Sequence, residues 1–176
     1  MAQALFITRK DIVKFTSMNG SVDTDNFIQY IKIAQDTHIY NYLGTDLFNK
    51  ISTDIVASTL AGDYLTLVED YIKPMLIHYA MVEYLPFAAY TIANRGVYKH
   101  TSENSESVSK SEVNYLVEKE RAIAMNYTDK FLRYICFNQS LFPEYISNTD
   151  GDKAPIRANN FNGWVLVLGS LVTLVI

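Results

Sequence analysis

Three histidines and a single cysteine have the widest chemical repertoire in this chain, and their spacing points away from catalysis. His38, His78 and His100 stand far apart and in no metal-ligand spacing. His38 falls on the stripe of a long helix, where a hydrogen-bonded core-edge histidine is expected rather than a ligand. His78 and Glu83 are five residues apart, so they do not share a helix face. Cys136 sits among Tyr134, Ile135 and Phe137 with no histidine nearby in sequence, the setting of a buried structural thiol rather than a nucleophile. Asp150 and Asp152 flank Gly151 like part of a calcium loop, but no glutamate closes it, and a turn fits better. Glu69 and Asp70 are adjacent and diverge, as on a solvated face. No phosphate-binding glycine loop, Gly-x-Ser-x-Gly or His-Glu-x-x-His is present. These residues predict a protein that is not an enzyme and holds no cofactor or metal. That expectation covers motifs only, because folding also joins residues remote in sequence.

The elements that position these residues read as helices. The stretch Val22–Gly44 predicts one long core helix around which the other segments pack. Asp23 is its cap, Val22 and Phe27 form a staple, and Gly44 is a left-handed C-cap. Phe27, Ile31, Ala34, His38 and Tyr42 form its largely apolar stripe, while Gln29, Lys32 and Asp36 fall on a wetter face. Before it, Thr8 and Asp11 form a capping-box-like pair, stapled by Ile7 and Ile12, for a short helix through Phe15. After it, a helix is expected from about Asp46 to Ala57, with Leu47, Ile51 and Ile55 on one face. Asp63 is the expected cap of a long helical segment from Tyr64, kinked or restarted at Pro74 and Pro86 and leaving through Asn94-Arg95-Gly96. Lys99–Lys110 is polar and serine-rich and reads as a mobile loop. Ser109 and Glu112 then form a capping box, with Val108 and Val113 as its staple, for a last long helix from about Lys110 to Phe137. A short turn or helix follows around Pro143. The expected fold is all-α: a bundle of about five helices with a polar loop and an extended, β-prone C-terminal arm. Its divisions are 1–146 for the bundle, 147–157 for a linker and 158–176 for the arm.

Composition bounds the function. The 176 residues suggest one domain, and a hydrophobic content of 49% is enough to bury a core. A net charge of −4 argues against a dedicated nucleic-acid surface but not against a wall that surrounds DNA without gripping it. One cysteine permits no intrachain disulfide, so a reducing assembly compartment is expected. The N-terminus reads as lacking a signal peptide. The 13 tyrosines suit half-buried contacts between subunits, and equally a tyrosine-rich core edge. From Asn159 onward no charge appears, and from Trp164 the chain is mostly Val, Leu and Ile. That run falls short of the roughly 17–25 residues a membrane-spanning helix needs. An exposed apolar edge of this kind would aggregate if left alone. An arm that adds strands to a neighbour is therefore favoured over a hairpin on its own domain. The candidate arm contacts are Phe161, Trp164, Val165, Leu166, Val167, Leu168, Leu171 and Val172.

The segment Asp11–Ile51 resembles the N-terminal part of head–tail connector proteins of tailed phages, most closely those of crAss-like and related Bacteroidetes phages. The residues that carry the resemblance are Asp11-Ile12, the Val22-Asp23 cap, Ile33-Ala34-Gln35-Asp36, His38-Ile39 and Leu43-Gly44-Thr45-Asp46-Leu47; Tyr71-Ile72-Lys73-Pro74 is also similar. The likeness covers roughly the first half of the chain well and the later helices by pattern only; the C-terminal tail has no counterpart in it. It implies a helical virion protein at the portal vertex, assembled in the host bacterial cytoplasm. It implies a ring, typically of twelve copies, that joins the portal to the next ring or tail protein and continues the DNA channel used in ejection. On this view DNA passes without specific binding, and no membrane is expected. The candidate channel or axial loop comprises Lys99, His100, Glu103, Glu106 and Lys110. Two rivals remain open: a tail-anchored membrane-associated protein, and a small ligand-binding bundle with a pocket joining His78, Glu83 and tyrosines.

Overall fold

The computed structural model describes residues 4–16, 18, 24–88, 90–93, 96–99, 109–149 and 152–157. Among these the chain is mostly helical. Helix α1 spans Arg9–Phe15. Its box forms as expected: the Asp11 carboxylate accepts from the Thr8 N–H and hydroxyl, both at 2.7 Å. Ile7 and Ile12, the expected staple, are both buried.

The Val22–Gly44 stretch is not one uniform helix. Helix α2 covers Thr24–Ala34, a π-helical turn covers Gln35–Ile39, and α3 covers Tyr40–Ala57. The wider turn rotates the following residues, so Gln35, Ile39 and Leu43 enter the core while His38 and Tyr42 stay half-buried. Asp23 and Val22 lie outside the described residues. Gly44 breaks the helix as expected, at φ 73° and ψ 171°. This is an extended positive-φ conformation that is essentially confined to glycine, rather than the left-handed helical one. Leu47 and Ile51 then enter the core from α3, with Ile55 partly buried against it.

Helix α4 (Gly62–Leu67) starts earlier than expected, with Ala61 at the cap and Asp63 inside the first turn. A second π-turn, Val68–Ile72, leads without a break into α5 (Lys73–Tyr84), with Pro74 at its second residue, just past the π-turn. Pro86 likewise sits at the start of a 3-10 turn, Leu85–Phe87. Helix α5, not the Val22–Gly44 stretch, is the centre of the fold. Met75, Leu76, Ile77, Tyr79, Ala80, Met81 and Val82 are all buried. A helix apolar on nearly every side must be surrounded, and α2 and α6 flank α5.

The exit from this segment holds a feature that spacing did not predict, an antiparallel hairpin. β1 (Tyr90–Ala93) pairs with β2 (Gly96–Lys99) in the register Tyr90↔Lys99 to Ala93↔Gly96. Helix α6 spans Lys110–Phe137 as expected, and its box closes through Ser109 and Glu112. The Val108 half of the staple lies outside the described residues. On α6, Val117, Ala124, Thr128, Phe131, Leu132 and Ile135 are buried, whereas Leu116 and Ile123 face outward. A short helix α7, Pro143–Ser147, buries Tyr145.

Of the stretch 147–157, read as a linker, the described residues 147–149 and 152–157 are fastened to the domain. Lys153 O accepts from Thr45 N–H at 3.0 Å, and Ile156 N–H donates to Asn41 O at 2.9 Å. Asp46 accepts from Thr149 N–H at 2.7 Å, and Tyr40 donates to Asp152 at 2.7 Å. The break at Gly44 exposes backbone groups that a continuous helix would have satisfied itself, and this strap takes them.

Candidate functional site

Two polar pairs cross the interfaces of α5, and both use residues remote in sequence. From the first π-turn, His38 Nε2 lies 3.0 Å from Glu83 Oε1 of α5, and its ring stacks on Tyr79 at 4.0 Å. From α5 itself, His78 Nδ1 lies 2.7 Å from Glu120 Oε2 of α6, and its ring stacks on Tyr127. Between them the Tyr79 hydroxyl lies 3.2 Å from the Thr128 hydroxyl. Burial, with the Tyr79 hydroxyl beside it, pushes Tyr42 up to about 12. His38 is thus the hydrogen-bonded core-edge residue the sequence predicts. Among the described residues His78 and Glu83 take different partners, Glu120 on α6 and His38 in the first π-turn.

A cleft of about 350 Å³ opens beside His78. Phe15, Pro74, Ile77 and Tyr127 supply apolar walls, and Asp11, Glu69, Asp70 and Lys73 the polar ones. Lys73 is held by Glu69 at 2.6 Å. Burial alone would raise the Asp11 carboxyl, but the Thr8 hydrogen bonds and the Lys73 and Lys14 charges outweigh it, so its pKa is lowered. Such a cleft suits a donor-rich or cationic group with an apolar stem. Among the described residues, no group of His, Cys, Asp and Glu could hold a metal ion.

The residues chosen from sequence are only partly covered. Lys99 ends β2 rather than opening a loop, and Lys110 is the first residue of α6. His100, Glu103 and Glu106 lie outside the described residues. So do Phe161, Trp164, Val165, Leu166, Val167, Leu168, Leu171 and Val172. Cys136 is exposed, not buried: it sits on the outer side of α6, its sulfur 4.0 Å from Arg157 O. Sequence reasoning missed the outward apolar side chains. Phe137 is 89% exposed, Tyr115 61% and Phe15 57%. Tyr115 and Phe137 lie off the buried stripe of α6, a signal the spacing carries, whereas Phe15, three residues after Ile12, shares the buried face of α1.

The comparisons with known proteins place the chain in a family. It belongs to DUF6712, a family of unknown function, whose profile matches residues 39–155. The match runs from the end of the first π-turn to Pro155 of the strap, and so includes Gly44 and its contacts. No curated protein and no solved structure is significantly similar to the chain.

Proposed function

We propose that this chain is a structural subunit of a tailed-phage neck: a head–tail connector that closes into a ring between portal and tail. In this reading the ring matches the portal in copy number, contacts the portal on one side and the next tail or ring protein on the other, and surrounds the DNA channel. The resemblance of Asp11–Ile51 to connector proteins supports it.

The observation that carries the reading is the placement of large exposed apolar side chains at both ends of α6. Tyr115 lies near its start and Phe137 at its last residue. A subunit of a ring needs two different contact surfaces, one for each neighbour, because a head-to-tail interface joins unlike patches. Aromatic side chains are frequent anchors of such contacts. The net negative charge of −4 suits a wall past which DNA slides without phosphate contacts.

The rival membrane reading finds no support in the bundle. Among the described residues, no helix is long and apolar enough to cross a membrane. The cleft beside His78 favours a second reading, a bundle that binds a small organic cation.

Native mass spectrometry of the full chain, alone and with its cognate portal protein, separates these readings. A closed oligomer, or one formed on the portal, is the expected result. A monomer at all concentrations that ignores the portal would overturn the ring.

A further inference from the structure

Among the described residues the β1–β2 hairpin has few contacts outside itself. Its strands pair only with each other, and among the described residues neither makes an extended contact with a helix. A two-stranded ribbon is marginal in water, and a third strand is what normally makes it persist. Among the described residues no third strand pairs with either long edge, so every second residue there presents its N–H and C=O outward.

The chain also contains a segment that needs such an edge. Residues Trp164–Ile176 carry no charge and are rich in Val, Leu and Ile. A strand of that composition is suited to burial on both faces.

We propose that an open edge of the hairpin is completed by the Trp164–Ile176 run of a second copy of this chain, added as a strand through backbone hydrogen bonds. The inference rests on the ring reading and names what joins its subunits.

Placement argues for a second copy rather than the same one. Arg157, from which the tail departs, is fixed near the C-terminal end of α6, where its guanidinium donates to Tyr145 O at 3.0 Å. The hairpin departs from the opposite end. The second π-turn with α5 runs antiparallel to α6, since Tyr71 of the turn stacks on Tyr134 while His78 of α5 meets Glu120. The 3-10 turn that leads to the hairpin also packs on α6. Helix α6, 28 residues long, measures about 42 Å at 1.5 Å per residue. A tail returning to its own hairpin would spend roughly twelve residues on that distance at about 3.4 Å each. The strand-prone run would then be half used as a spacer. A neighbour placed with its hairpin end against the C-terminal end of this α6 leaves the whole run for pairing.

The test uses the full chain with Cys136→Ser as background. Copies carrying Ile92→Cys or Val97→Cys, one on each strand, are mixed with copies carrying Val167→Cys, assembled, oxidised and digested for mass spectrometry. Val56→Cys, exposed on α3, is the control. Each variant is first checked for unchanged melting. The expected result is a disulfide between chains from at least one hairpin site to the tail, at least tenfold more abundant than to the control site. A closed oligomer whose hairpin–tail disulfides do not exceed the control overturns the inference and leaves the ring standing. So does a double variant, with both cysteines in one chain, that links only within itself. If the unmodified chain forms no oligomer at all, the ring reading falls and this inference with it.

Discussion

Replacing Gly44 with alanine probes the corner on which α3 and the strap depend. At φ 73° and ψ 171° an L-residue is strained by about 1–3 kcal/mol. Space is lacking as well. A Cβ there would stand 2.7 Å from Asn148 Oδ1, 2.7 Å from Pro155 Cδ and 3.0 Å from Pro155 N. The last two belong to a ring and a backbone, so the strap must move away. Its movement weakens the Thr45–Lys153 and Ile156–Asn41 hydrogen bonds, each worth about 1 kcal/mol net. The expected loss for Gly44→Ala is therefore about 2–5 kcal/mol, a large share of the roughly 5–15 kcal/mol that holds a domain together. Gly62 is the internal control, because it also has a positive φ, 59°, but a Cβ added there would meet nothing within 4 Å. Gly62→Ala should lose only about 1–2 kcal/mol, the backbone cost alone. Urea unfolding followed by circular dichroism gives both values. Equal losses for the two variants would refute the claim that the strap is packed against Gly44.

Gln35 is buried and ties the N-terminal segment to the first π-turn, accepting from Phe6 N–H at 2.9 Å and donating to Ala4 O at 2.8 Å. Gln35→Ala should cost about 2–3 kcal/mol, since it strands two buried backbone groups. Amide exchange at Phe6 should rise with it. Tyr145 is fully buried, and its hydroxyl has no hydrogen-bond partner among the described residues. Tyr145→Phe should therefore be neutral or stabilising by up to about 1 kcal/mol in urea unfolding. Burial pushes Tyr145, like Tyr42, up to about 12 from an ordinary value of 10. A raised folded value favours the protonated form, so this stability is intact below pH 10 and lost as pH climbs through 12. Urea midpoints across that window should fall, and fall less in Tyr145→Phe. Deleting residues 158–176 should leave the cooperative melting of the helices unchanged while abolishing assembly on size-exclusion chromatography.

Local signals were legible where one turn of chain contains all the partners. Thr8 with Asp11, and Ser109 with Glu112, announce their helices because the capping residues lie three apart and need nothing else. Gly44 is readable for a similar reason, being a glycine at the end of an apolar stripe. The π-turns are not readable this way. Periodicity assumes about 3.6 residues per turn, and one extra residue at Gln35–Ile39 replaces His38 with Gln35 and Ile39 in the core. The strap 152–157 looks like a linker because its composition is polar. Its anchorage comes from backbone groups of Asn41 and Thr45 that no pattern in the strap itself encodes. The His38–Glu83 and His78–Glu120 pairs bridge more than 40 positions, beyond the reach of spacing. The hairpin hid behind Asn94-Arg95-Gly96, which marks a turn equally well between helices or between strands.

The central claim is that this chain forms the ring beneath the portal. Quantitative mass spectrometry of purified virions, comparing copies of this chain with copies of the portal protein, tests it most directly. A ring matched to the portal predicts equal numbers of the two. Absence of the chain from virions would contradict it and bring the ligand-binding reading of the His78 cleft to the front.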